Sequence, residues 1–90
     1  SIVRVREGFL LTFLASSDFN NSAYKDLFDR HLTSYKLLQV KVQSNGDQEY
    51  YFSIRFGKND GYGADFINKL KSLSGIKMVE IITGRDSAEY

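Results

Sequence analysis

The sequence predicts an α+β sandwich in which four antiparallel strands carry two helices on one face. Three observations predict it. Apolar residues alternate in two segments, form short β-rich runs in two others, and recur with helical spacing in two more. The segments follow one another as strand, helix, strand, strand, helix, strand. Finally, 90 residues with no Cys and no Pro leave room for one small domain and for no disulfide framework.

The first strand is expected between Gly8 and Ser16, where Phe9, Leu11 and Phe13 take one parity and Leu10, Thr12 and Leu14 the other. Apolar residues on both parities indicate a central strand covered in part on both faces. Ser16-Ser17-Asp18-Phe19-Asn20-Asn21 collects turn and cap residues, so Asn20, Asn21 or Ser22 should cap a helix. In that helix Ala23, Tyr24, Leu27, Phe28, His31 and Leu32 fall on one side, with Lys25, Asp26, Asp29 and Arg30 on the other.

Two alternating segments then flank Asn45-Gly46, the preferred pair for a tight hairpin turn because both residues tolerate positive φ. Leu38, Val40 and Val42 on the way in, and Tyr50, Phe52, Ile54 and Phe56 on the way out, are expected to face the core. Gly57–Gly63 reads as a loop. A second amphipathic helix presents Ala64, Phe66, Ile67, Leu70 and Leu73, Gly75 supplies a left-handed stop, and Ile76–Thr83 forms the last strand. A βαββαβ chain of this length folds most economically as a ferredoxin-like sandwich, with the domain at 8–84, a linker or N-terminal stub at 1–7 and a tail at 85–90.

Leu70-Lys71-Ser72-Leu73-Ser74-Gly75-Ile76-Lys77-Met78-Val79 resembles the end of the second helix and the last strand of ACT-like domains, where L-x-x-L-x-G-I/V-x-x-V turns sharply into the final strand. With the preceding order of elements the resemblance spans nearly the whole chain. The arrangement is also similar to the soluble C-terminal modules of some bacterial integral membrane proteins, the MgtC type and a related family among them. That resemblance implies a cytoplasmic regulatory or assembly module, the cytosolic part of an inner-membrane protein, which pairs with itself and works with the rest of its parent polypeptide. A chain that opens on Ser1 and has its single Met at position 78 fits a processed chain or a piece of a longer protein. In amino-acid-sensing ACT domains the resemblance places an effector at the loop after the first strand. Here that would involve Ser16, Ser17, Asp18, Asn20 and Asn21, in a loop that carries no Gly.

Chemistry-bearing patterns are sparse. His31 is the single histidine, and no nucleophile is indicated beside it, so it is read as a core residue. Asp26 and Asp29 share a helix face with Lys25 and Arg30 and read as a solvated surface. No thiolate metal site is possible, and the oxygen clusters Asp18-Asn20-Asn21 and Asn59-Asp60-Asp65 read as caps and turns rather than a cation site. The loop Gly57–Gly63 matches neither a Walker loop nor a dinucleotide fingerprint. An RNA-recognition motif shares the topology, and Tyr51 and Arg55 could stack on bases, but Ser53 stands where a second aromatic belongs and Glu49 brings the wrong charge. With 12 Lys+Arg against 11 Asp+Glu the chain lacks the field of a nucleic-acid or membrane binder. No stretch of about 18 apolar residues is present to span a bilayer. The expectation is therefore a non-catalytic domain without cofactor or metal that forms a homodimer. If the Phe set of the first strand faces the helices, then Leu10, Leu14, Tyr51, Met78 and Ile82 lie on the open sheet face as interface candidates.

Overall fold

The computed structural model describes residues 8–57 and 63–83. Six elements follow in the expected order: β1 (Phe9–Ala15), α1 (Ser22–His31), β2 (Leu32–Val42), β3 (Gln48–Phe56), α2 (Ala64–Lys71) and β4 (Ile76–Thr83). The sheet is antiparallel in the order β2-β3-β1-β4, the ferredoxin-like arrangement. The expected stub at 1–7, the tail at 85–90 and most of the Gly57–Gly63 loop lie outside the described residues.

The parity of β1 is settled by burial. Leu11, Phe13 and Ala15 are almost wholly buried with Tyr50, Phe52 and Ile54 of β3. Across β1 and β3, Phe13 stands opposite Tyr50 with the rings stacked at 4.7 Å, a cross-strand aromatic pair that favours this register. Phe28 of α1 meets Phe52 at 5.0 Å, and Phe66 of α2 meets Phe56 at 5.6 Å, so both helices cover the same sheet face. Phe28 and Phe66 also meet each other at 5.4 Å. Seven phenylalanines and six tyrosines are many for 90 residues, and those placed in the core give a small domain the apolar area that chain length alone would not supply.

The N-cap of α1 is Asn21, which makes no side-chain cap bond. The turn just ahead of it is held by Asn20, whose Oδ1 accepts from the Ser22 backbone N–H at 3.0 Å and from the Ser22 hydroxyl at 2.8 Å. The helix ends one residue earlier than the apolar spacing suggests, and Leu32 opens β2 directly. α2 ends at Lys71 with Ser72 as its C-cap, so Leu73 lies beyond the helix and Gly75 does not stop it; at φ +92° Gly75 instead turns the chain into β4.

Two further expectations are corrected. The Asn45-Gly46 hairpin is closed by a three-residue loop and not by a two-residue turn. Gln43 and Asp47 still pair through Gln43 N–H to Asp47 C=O at 2.8 Å, and only Gly46, at φ +93°, carries the left-handed conformation that a bulged hairpin needs. Leu38, Val40 and Val42 are not core residues, being 51%, 40% and 69% exposed. The strand bulges between Leu37 and Gln39, which takes Leu38 out of the alternation. Val40 and Val42 pair with Tyr50 and Gln48 on the helix side, but α1 is too short to reach them. Its 10 residues span about 15 Å, whereas the 11 of β2 span about 36 Å.

Candidate functional site

On the face away from the helices the registers set twelve side chains in three rows across β2, β3, β1 and β4. The rows are Lys36, Ser53, Leu10 and Ile82; then Gln39, Tyr51, Thr12 and Glu80; then Lys41, Glu49, Leu14 and Met78. A shallow groove of about 160 Å³ runs between β3 and β4, lined by Leu10, Thr12, Phe13, Leu14, Glu49, Tyr51, Met78, Glu80 and Ile82. All five interface candidates from the sequence therefore converge on one groove. Met78 and Ile82 are 52% and 50% exposed, and Leu10, Leu14 and Tyr51 are half-buried between their neighbours.

The polar members of the face were not singled out from sequence, although the signal was there. Once Met78 and Ile82 are assigned to the open face, strand parity assigns Glu80 to it as well. Charge is divided across the sheet: Lys36 and Lys41 stand on the β2 side, with Arg55 beyond the three rows opposite Ser34, Glu80 stands on the β4 side, and Glu49 lies next to Lys41. Lys41 is held in place, its Nζ 5.6 Å from the centre of the Tyr51 ring.

The β2 edge of the sheet is blunted. Register breaks at Leu32/Ser34 and Leu37/Gln39, together with Lys36 and Lys41, interrupt the flat row of free backbone groups that strand addition requires. Leu37, Leu38, Val40 and Val42 form a second exposed apolar stretch along this edge strand.

The alternative ligand loop is packed at the hairpin end of the sheet. Ser16 N–H donates to Gly75 C=O at 2.8 Å, and Ser17 lies against Gly46. Its polar groups bond to their sequence neighbours: the Ser16 hydroxyl donates to Asp18 Oδ1 at 2.6 Å, while Asn20 Oδ1 accepts from the Ser22 backbone N–H. Ser17, Asp18, Asn20 and Asn21 are exposed on the loop, and Ser16 is half-buried. His31 is buried at the end of α1, its ring 5.7 Å from Phe66, with the sheet between it and the groove. Among the described residues no group of three or more His, Cys, Asp or Glu could hold a metal ion, and no helix is long and apolar enough to cross a membrane.

No protein-family model matches the chain, and no curated protein matches it.

Proposed function

We propose that this domain is a non-catalytic assembly module that forms a homodimer through the open face of its sheet. The observation that carries the reading is the convergence of Leu10, Leu14, Tyr51, Met78 and Ile82 on one groove. Two half-exposed large apolar side chains there, Met78 and Ile82, stand beside three more that are half-buried. These apolar groups, set on either side of Thr12 and Glu80, are surface of the kind that supports an interaction reading. Association by face is favoured over association through the β2 edge because bulges and lysines interrupt that strand. The likeness of the Leu70–Val79 segment to ACT-like domains supports a regulatory or assembly module, and the similarity of the arrangement to the C-terminal modules of bacterial integral membrane proteins supports its placement on the cytoplasmic side of a larger, membrane-bound protein.

Sedimentation velocity of the 90-residue chain, run from low to high micromolar concentration, tests the reading. A concentration-dependent shift from monomer to dimer is expected. A strict monomer at the highest concentration removes it.

A further inference from the structure

We propose that the two copies meet about a two-fold axis parallel to their strands, so that β2 of each lies over β4 of the other and Lys36 and Lys41 enclose the partner's Glu80. The inference rests on the open face being the surface where copies meet, and it follows from the registers. Sheets packed face to face keep their strands within about 30° of alignment in the commonest arrangement. Two in-plane two-fold axes achieve this for a sheet and its copy, one parallel and one perpendicular to the strands.

The parallel axis keeps each row opposite itself and exchanges the two edge strands. Lys36 then lies over Ile82, Gln39 over Glu80 and Lys41 over Met78, while the central strands set Ser53 over Leu10, Tyr51 over Thr12 and Glu49, with Lys41 beside it, over Leu14. Rows are about 7 Å apart, a distance that a lysine stem spans. The two stems cover the half-exposed Ile82 and Met78 while their ammonium groups reach Glu80 from both sides. The perpendicular axis instead exchanges the end rows. It brings Leu10 over Leu14 and Ile82 over Met78, but it sets Glu80 directly over its own copy and Lys36 over Lys41. These are two juxtapositions of like charge in a closed interface, and on that repulsion the parallel axis is chosen.

The test is a charge swap read by sedimentation equilibrium on the full 90-residue chain, using Glu80→Lys, Lys36→Glu and the double variant. Lys36 is chosen over Lys41 because Lys41 rests on Tyr51 within its own chain. With the axis parallel to the strands, each single variant weakens the dimer by about tenfold or more. The double variant recovers most of that loss, and the wild-type dimer weakens with added salt. With the perpendicular axis, Lys36→Glu tightens the dimer because it removes the clash with Lys41. A dimer indifferent to Glu80→Lys, tightened by Lys36→Glu, or not recovered in the double variant overturns the arrangement and leaves face-to-face pairing standing. A chain that is monomeric throughout overturns both. Thermal melts of each variant at low concentration verify that the exposed substitutions leave the fold intact.

Discussion

Lys77 Nζ donates to Asp47 Oδ2 at 2.8 Å, joining the hairpin loop to the start of β4 across 30 residues of sequence. The contact depends on irregular backbone at both ends. Lys77 is the extra residue where β4 slips against β1 between Leu14 and Ala15, and Asp47 closes the bulged loop, its N–H donating to Asn45 Oδ1 at 2.9 Å. The hydrogen bond from Lys77 holds the Asp47 carboxyl below its ordinary value, helped by the Asn45 amide and opposed by burial.

That depression fixes the sign of a pH effect. The unfolded chain takes up the proton at a higher pH than the folded one, so this contribution to stability is fully present above the ordinary aspartate range. It is lost as pH falls through the folded value. Urea midpoints of Asp47→Asn should therefore lie below wild type at pH 7, with the difference shrinking at acid pH. A constant difference would show that the carboxylate charge is not what matters.

Gly63 opens α2 at φ +81°, and a Cβ placed on it would overlap the Phe56 ring, with Cε1 at 2.6 Å. Two penalties then coincide in Gly63→Ala, left-handed backbone for a residue with a side chain and displacement of a packed aromatic. Together they should cost about 2–4 kcal/mol in urea unfolding. Gly8→Ala, where a Cβ meets nothing within 4 Å, is the matched control and should change stability by less than about 0.5 kcal/mol.

Phe52 and Val42 occupy equivalent places in the alternation of the two hairpin strands, yet one is 1% and the other 69% exposed. Phe52→Ala should cost about 3–5 kcal/mol, because its ring packs on Phe13, Tyr24 and Phe28. Val42→Ser should fall within about 0.5 kcal/mol of wild type. A large loss at Val42 would mean that something covers the far end of β2.

These pairs also show what could be read from the chain alone. The order of elements, the left-handed Gly75 ahead of β4 and the grouping of Leu10, Leu14, Tyr51, Met78 and Ile82 all follow from local periodicity and turn chemistry, which neighbouring residues dictate. Burial of Val40 and Val42 does not, since it depends on where a helix elsewhere in the chain stops. The bulges at Leu38 and Lys77 leave no mark in composition and appear only when two strands are set side by side. For the same reason Glu80 acquires meaning only opposite Thr12 and across the sheet from Gln39.

Met78→Ser/Ile82→Ser separates the apolar part of the proposed interface from its charges. Both side chains are about half-exposed in the monomer, so their removal should leave monomer stability nearly unchanged. In a two-fold dimer four such side chains are covered, each worth about 1 kcal/mol for the half not already buried. Their loss, about 4 kcal/mol, should weaken association by about a thousandfold. Sedimentation equilibrium should then show monomer where the wild type is dimeric, with an unaltered far-ultraviolet circular dichroism spectrum. The effect should persist at high salt, where the Glu80 contribution fades, because apolar burial is not screened. Equal dimerisation of the variant and the wild type would move the contact to the exposed Leu37–Val42 stretch of β2, the second apolar surface left uncovered among the described residues.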